Sequence, residues 1–217
     1  MQTASRATFR TDFNDAHPFV RVVSLVSPTC LVCQYGEGVV RTLFETSGDE
    51  QQLRGFMVWI PMMDADDQAA AGSQADRFED ARVRHLWDGE KELGEAFART
   101  LGLKRTAWDV YLLYAPGITW DGEGPPTPTF WMHQLPTATG ADHTALLHAG
   151  AFGTQISRML GRNPNELPPD MALYLHAKGI SAIRGDVNRP SVDEMAAAAV
   201  GRPGGGPGER PGPASGG

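Results

Sequence analysis

Two cysteines, Cys30 and Cys33, stand three positions apart in the stretch SPTCLVC, and they are the only two cysteines of the chain. The thiolate is the reactive form of cysteine, so a pair at this spacing can exchange with a disulfide or bind a soft metal ion. In a first interpretation Cys30 is a nucleophile, and Cys33 attacks the mixed disulfide that forms on Cys30. In a second both are metal ligands, and in a third they are small apolar packing residues without thiol chemistry.

The metal interpretation, with zinc or copper(I) on the two thiolates, needs further ligands. The spacing of the six histidines gives no clear signal for one. His133, in FWMHQL, is the best candidate because it lies on a predicted core strand, although a histidine on such a strand is more often hydrogen-bonded within the core. The acidic residues Asp64, Asp66 and Asp67 lack the glycine and the terminal glutamate of a calcium loop, so we expect a solvated loop there.

The composition narrows the choice of partners. The chain has 217 residues, of which 41% are hydrophobic, and a formal net charge of −7 with scattered lysines and arginines. This pattern offers no surface for phosphate backbones, so no nucleic acid partner is expected. The apolar runs are far shorter than the roughly 20 residues of a membrane span, and residues 1–17 hold no signal-peptide core. We expect a cytoplasmic protein that acts on a protein or small-molecule thiol or disulfide, with no membrane partner and no organic cofactor.

A buried strand and a helix are predicted on either side of the cysteines. Residues 19–26, FVRVVSLV, are β-branched and apolar with few breaks, which predicts a strand buried on both faces. The next segment predicts a largely buried helix that ends near Ser47, because apolar residues recur every four positions: Leu31, Tyr35, Val39 and Leu43. Gly36 and Gly38 each cost that helix about 1 kcal/mol relative to alanine, which indicates close backbone packing. Cys30 then lies at the helix N-terminus, where unpaired N–H groups stabilise a thiolate.

The rest of the chain alternates strands and helices and then adds a hairpin and a closing helix. The predicted strands are 56–60, 83–87, 108–114 and 130–135. A polar connection after Pro61 has room for a short helix, Asp88 is the predicted cap of a helix over 90–101, and another helix follows over 142–160. This order predicts an α/β fold of three layers, with a central mixed sheet covered on both faces.

Five segments resemble a group of bacterial thioredoxin-like proteins: SPTCLVC, VWIPMMDAD, RVRHLWD, WDVYLLY and FWMHQL. The resemblance covers residues 18–150 and implies a thioredoxin-like fold in which Cys-x-x-Cys lies at a strand-to-helix junction. It also implies a thiol-disulfide oxidoreductase or thiol-dependent reductase, with Cys30 attacking and Cys33 resolving. The group has no settled activity, so the resemblance bears on the fold more than on the substrate.

Three departures from the thioredoxin pattern concern the surroundings of the thiols. Pro28-Thr29 stands where thioredoxins carry a tryptophan, and Leu31-Val32 lies between the cysteines in place of pairs such as Gly-Pro. No proline directly precedes WDVYLLY, where the family has a cis-proline that packs against the cysteines and excludes metal ions. Its loss makes a metal-thiolate site easier to form. Pro126 or Pro128, each before a strand, is the alternative source of a cis peptide bond.

The sequence predicts four segments: a flexible N-terminal segment over 1–17, a thioredoxin-like domain over 18–160, a helical extension over 161–200 and a disordered Gly/Pro-rich tail over 201–217. Trp120, in the loop GITWDGEG, is the one tryptophan placed to face a ligand or partner. The loop and the extension support a further alternative, a non-enzymatic interaction module on a thioredoxin-like scaffold. The oligomeric state does not follow from the sequence.

Overall fold

The computed structural model describes residues 1–48 and 50–162, which contain a six-stranded sheet and five α-helices. The strands are β1 (Gln2–Thr3), β2 (Val20–Val26), β3 (Leu53–Trp59), β4 (Val83–Trp87), β5 (Val110–Tyr114) and β6 (Phe130–His133). The helices are α1 (Arg6–Asp15), α2 (Leu31–Thr46), α3 (Gln68–Ala75), α4 (Glu92–Leu101) and α5 (Ala149–Met159). Two short 3-10 helices, Thr137–Thr139 and His143–Ala145, precede α5. Strands and helices alternate as predicted for an α/β fold.

Strand β2 lies in the middle of the mixed sheet, whose order is β1-β4-β3-β2-β5-β6. It pairs in parallel with β3 and antiparallel with β5, so neither of its edges meets solvent. All seven of its residues are buried, which confirms the prediction of a strand covered on both faces. Because only four residues separate the end of β2 from the start of α2, the sheet places the Cys-x-x-Cys motif at the end of its central strand.

Helices cover both faces of the sheet and make two separate hydrophobic cores. On one face the apolar side chains of α2 and α5, among them Val40, Phe44 and Phe152, pack against β2, β3, β5 and β6. On the other face α1 and α4 contribute Phe9 and Phe97, which pack with the alternate residues of the same strands. The fold is therefore the three-layer arrangement that the order of elements predicts.

Residues 1–17 contain β1 and α1, where the sequence analysis expects a flexible segment. Ser5 caps α1 in a capping box with Thr8, and β1 pairs with β4 at the edge of the sheet. Phe9 and Phe13 are fully buried on the α1/α4 face of the sheet. These two aromatic side chains lie four positions apart and so share one helix face. The helix was hard to predict because the rest of residues 1–17 is mostly polar.

Two predicted helix boundaries also need correction. The predicted helix over 142–160 is two elements, because the chain makes a 3-10 turn at 143–145 and α5 begins only after His148, whose Nδ1 accepts from the N–H of Ala151. Helix α4 begins at Glu92 instead of 90, after a left-handed Lys91 with φ of 61°. The N-cap is therefore Lys91 and not the predicted Asp88, although the Asp88 carboxylate accepts the N–H groups of Leu93 and Gly94 in the first turn at 3.0 Å each.

No helix in the described part of the chain is long and apolar enough to cross a membrane. The predicted helical extension and the Gly/Pro-rich tail lie outside the described residues, apart from residues 161 and 162.

Candidate functional site

Cys30 is the N-cap residue of α2. Its backbone is extended, with φ of −75° and ψ of 117°, and its Sγ accepts the N–H of Cys33 at 3.5 Å. That N–H is one of the donors that a helix start leaves without an intrahelical partner. The hydrogen bonding from Cys33 lowers the pKa of Cys30 from 9.0 to about 7, against opposing effects of burial and of Asp109. A large share of Cys30 is therefore thiolate near neutral pH.

Cys33 lies one helical turn further in and has the opposite character. Its side chain is 1% exposed, against 9% for Cys30. Burial, the contact with Cys30 and the nearby Asp109 together raise the pKa of Cys33 well above 9.0. Both cysteines are free thiols in this structure. The motif thus pairs an ionisable thiol that is partly accessible with a more deeply buried, protonated thiol.

Asp109 is the third ionisable group of the site and lies directly before β5. Its backbone is left-handed, with φ of 55°, a region in which aspartate is tolerated better than most residues. The Oδ1 atom accepts the Tyr111 hydroxyl at 2.7 Å and the Gln134 amide at 2.9 Å. Burial raises the pKa of Asp109, while hydrogen bonds from Gln134, Tyr111 and Cys33 oppose that rise. The carboxylate lies beside both thiols, because one oxygen of it and the two Sγ atoms are all within 4.8 Å of one another.

Gln134 and Tyr111 tie this carboxylate to the first turn of α2. The Gln134 amide also donates to the carbonyl of Val32 at 2.9 Å, so it bridges the helix and Asp109. The Tyr111 hydroxyl lies 3.5 Å from the carbonyl of Cys33. Tyr111 reaches this position because Gly36 has no side chain, since a Cβ there would lie 1.9 Å from the tyrosine oxygen. The predicted close packing at Gly36 is confirmed.

Asp66 fixes the loop that leads into Cys30. Its carboxylate accepts five hydrogen bonds: from the hydroxyls of Ser27 and Thr29 and from the backbone N–H groups of Thr29, Met62 and Met63, at 2.6 to 2.9 Å. Burial acts to raise the pKa of Asp66, but these hydrogen bonds outweigh it and the pKa lies below 3.8. The expectation of a solvated loop is therefore wrong for Asp66, which joins the loop after β3 to the loop before α2.

An exposed apolar surface adjoins Cys30. Leu31 is 81% exposed and Val32 is 46% exposed, so these two residues are not part of the buried helix face that the spacing predicts. The loop that carries Met63, which is 38% exposed, is tied to the backbone just before Cys30, because the Asp66 carboxylate accepts the N–H groups of both Met63 and Thr29. Leu31 and Val32 supply apolar surface beside the thiol although no tryptophan precedes Cys30.

Other predicted site residues lie away from the thiols. His133 is fully buried, with Nε2 bonded to the carbonyl of Asp142 and Nδ1 accepting the N–H of Leu135, so it is a core residue and not a third metal ligand. Trp120 is 1% exposed among aromatic rings of the α1/α4 face, and the prediction that it faces a ligand is wrong. Every described peptide bond is trans, so neither Pro126 nor Pro128 supplies a cis-proline.

Asp109 is the residue that the sequence analysis missed. The strand was predicted to begin at Trp108, which hid Asp109 inside it, whereas β5 begins at Val110. Asp109 thus lies directly before β5 and beside both thiols. An aspartate in an otherwise apolar run was the available signal, since a buried carboxylate needs specific partners.

Comparisons with known proteins add little to this description. No family model and no curated protein matches the chain. A solved protein assigned as a thioredoxin from Neisseria meningitidis shares 16% identity at a TM-score of 0.36, over 46% of this chain and 60% of that chain, which is under two thirds of its length. A secreted Mycobacterium tuberculosis disulfide oxidoreductase, homologous to E. coli DsbE, shares 13% identity at a TM-score of 0.40, over 66% of this chain and 84% of that chain.

Proposed function

We propose that the protein is a thiol-disulfide oxidoreductase or thiol-dependent reductase. The observation that carries the proposal is the contrast between the two thiols: Cys30 caps a helix and accepts a hydrogen bond there, and Cys33 is buried behind it. A thiol with a pKa near ambient pH is close to the optimum for attack on a disulfide. A buried partner stays protonated until that attack has taken place.

The reaction runs in two exchange steps. The Cys30 thiolate attacks one sulfur of a substrate disulfide, and the other substrate sulfur leaves as a thiolate. Cys33 then loses its proton and attacks Cys30, which releases the second substrate thiol and leaves a Cys30–Cys33 disulfide. Two electrons pass from the pair to the substrate, and an external thiol reductant must return them before the next cycle.

Asp109 is placed to accept the proton that Cys33 loses. It is hydrogen-bonded to Cys33, and its pKa is raised by burial, which makes it a stronger base than an exposed carboxylate. Tyr111 and Gln134 hold the carboxylate in one orientation while the proton moves. In this scheme Asp109 is a positioned base for the second step and has no part in binding the substrate.

The substrate contacts the protein through the apolar surface around Cys30. Leu31 and Val32 provide that surface, Met63 lies on the neighbouring loop that Asp66 holds, and Cys30 is the more exposed of the two thiols. Protein or small-molecule disulfides with apolar groups near the sulfurs fit such a surface better than charged ones do. A reducing compartment, the cytoplasm, suits a pair that acts as a reductant, and it remains part of the proposal.

The stoichiometry of a single turnover tests the assignment of the two cysteines. Reduced, metal-free protein is mixed with an aromatic disulfide whose released thiol is coloured, and the products are weighed by mass spectrometry. The wild type is expected to release two thiols per chain and to end as an internal disulfide. Cys33→Ser is expected to release one and to keep the adduct on Cys30, and Cys30→Ser to lose the fast phase while it remains folded. Fast release by Cys30→Ser would refute the assignment.

Trp120 is buried, so it no longer favours the alternative of a non-enzymatic interaction module. Its other support, the extension, lies outside the described residues. The metal alternative gains a specific observation, the carboxylate beside the two thiols.

A further inference from the structure

Three metal-binding groups meet beneath the first turn of α2. The Sγ atoms of Cys30 and Cys33 and one carboxylate oxygen of Asp109 lie within 4.8 Å of one another, and the described residues hold no second cluster of this kind. In a tetrahedral site with Zn–S bonds of about 2.3 Å, adjacent ligand atoms are roughly 3 to 4 Å apart. Small side-chain adjustments are enough to bring the three atoms to that separation.

The donor set selects a class of ion. Two thiolates disfavour magnesium and calcium, which bind oxygen ligands, and favour zinc and related thiophilic ions. Three protein ligands leave the fourth position of a tetrahedral ion open to water or to a small ligand. His133, the best histidine candidate in the sequence, is not part of the set because it is hydrogen-bonded within the core.

The neighbours of Asp109 orient it as a ligand requires. Hydrogen bonds from outer residues commonly fix the carboxylates and imidazoles that bind metals. Here the hydroxyl of Tyr111 and the amide of Gln134 both donate to Oδ1, and Gln134 is itself held by the carbonyl of Val32. The carboxylate consequently has a fixed orientation beside the thiols before any ion arrives.

Burial adds an electrostatic reason for a cation. Cys33 and Asp109 are each 1% exposed, and Cys30 lies at the surface end of the cluster with 9% exposed. Two thiolates and a carboxylate this close together cannot all stay ionised without a bound cation. In its absence, protons must neutralise some of the three groups. No lysine, arginine or histidine is hydrogen-bonded or ion-paired to these three groups in the described part of the chain.

We propose that the reduced protein binds one thiophilic divalent cation, represented by Zn²⁺, through Cys30, Cys33 and Asp109. Binding displaces the protons that these groups hold and moves no electrons, so the ion remains divalent. Formation of a Cys30–Cys33 disulfide removes two of the three ligands, so metal binding and oxidation of the pair exclude each other. This site goes beyond the proposed exchange reaction and does not depend on it.

The test uses the full-length protein, reduced and freed of metal with a chelator. Zn²⁺ is titrated in competition with a colorimetric chelator, and Co²⁺ provides a thiolate-to-metal absorption band. One ion per reduced chain is expected, with none on the oxidised protein or on Cys30→Ser and Cys33→Ser. Asp109→Asn is expected to weaken binding at least tenfold, whereas Asp64→Asn, which changes an exposed acid in the loop after β3, is expected to bind as the wild type does.

If Asp109→Asn does not fold, X-ray absorption of the wild-type zinc complex identifies the ligands of the ion instead. Two sulfurs at about 2.3 Å with oxygen at about 2.0 to 2.2 Å are expected. Four sulfurs, which indicate an ion shared between two chains, overturn the assignment, as do unchanged affinity in a folded Asp109→Asn or no binding at all. Disulfide exchange is measured separately in excess chelator, so a protein that exchanges without binding metal, or binds metal without exchanging, shows which proposal has failed.

Discussion

Cys30 and Cys33 are one helical turn apart, yet their surroundings hold them in different protonation states. The N–H of Cys33 stabilises the Cys30 thiolate, and burial beside Asp109 keeps Cys33 protonated. The types and spacing of the two cysteines predict this division of roles. The sequence marks Asp109 only as an aspartate in an apolar run, because its position beside the thiols depends on a strand boundary shifted by two residues and on a left-handed backbone.

Replacement of Asp109 by asparagine is expected to stabilise the metal-free protein at neutral pH. The unfolded chain ionises Asp109 near 3.8, whereas burial raises the pKa in the folded state, so the wild type loses stability as pH rises through that window. Asparagine keeps the shape and carries no charge. The free energy of unfolding in urea is expected to be higher for Asp109→Asn at pH 7 and equal to that of the wild type at pH 3. A lower value at pH 7, with Asp64→Asn unchanged, would show that the ionised carboxylate stabilises the fold.

Replacement of Asp66 by alanine is expected to damage both stability and reactivity. Five donors lose their acceptor, and hydrogen bonds to a charged group contribute about 1.5 to 3 kcal/mol. We expect a loss of that order in urea unfolding at pH 7, together with slower alkylation of Cys30 as its loop is released. The pKa of Asp66 is lowered in the fold, so this difference is expected to shrink as pH falls below 3.8. Asp64→Ala is the control, and an equal effect of the two variants would contradict this role for Asp66.

At the scale of elements, the junction of β2 with α2 determines where the chemistry lies. Strand β2 and helix α2 were predictable, because each follows from a local pattern of side chains: β-branched residues in the strand and apolar residues at helical spacing in the helix. Tyr111 packs against Gly36, which lies 75 positions earlier in the chain. From the sequence alone only the glycine is visible, and its contact is not. The partner of that glycine becomes visible only in the folded sheet.

Gly36→Ala tests this contact. An added Cβ lies 1.9 Å from the tyrosine oxygen, so Tyr111 or the first turn of α2 must move. Overpacking of this kind costs about 1 to 3 kcal/mol, which exceeds the gain of about 1 kcal/mol in helix propensity. Thermal and urea unfolding are expected to show a net loss of stability and a changed rate of Cys30 alkylation. Gly72→Ala in α3, where nothing lies within 4 Å, is expected to be neutral or stabilising; a stabilised Gly36→Ala would disprove the contact.

At the scale of the whole molecule, α1 completes the core opposite the site. Arg21, fully buried on β2, donates to the carbonyls of Phe13, Ala115 and Ile118 and stacks on the Phe13 ring at 4.3 Å. Burial lowers the pKa of Arg21 to about 10. The order of elements was sufficient to predict the three layers, but it did not indicate that residues 1–17 cover one of them, because a short polar helix has little apolar periodicity.

Phe13→Ala is expected to destabilise the protein by about 3 to 5 kcal/mol, since it removes a fully buried ring that contacts Tyr114 and Trp120. Leu31→Ala, at an exposed position of α2, is expected to change stability by no more than about 0.5 kcal/mol. Urea unfolding followed by tryptophan fluorescence measures both. Equal stability of Phe13→Ala and the wild type would mean that residues 1–17 do not pack on the sheet.

The pH dependence of alkylation of the reduced, metal-free protein tests the central claim most directly. Each cysteine is followed separately by mass spectrometry, with Cys33 as the internal comparison. The contrast between the thiols predicts a midpoint near 7 for Cys30 and no reaction of Cys33 across the neutral range. An ordinary midpoint near 9 for Cys30, or equal reactivity of the two thiols, would contradict an activated nucleophile at the start of α2.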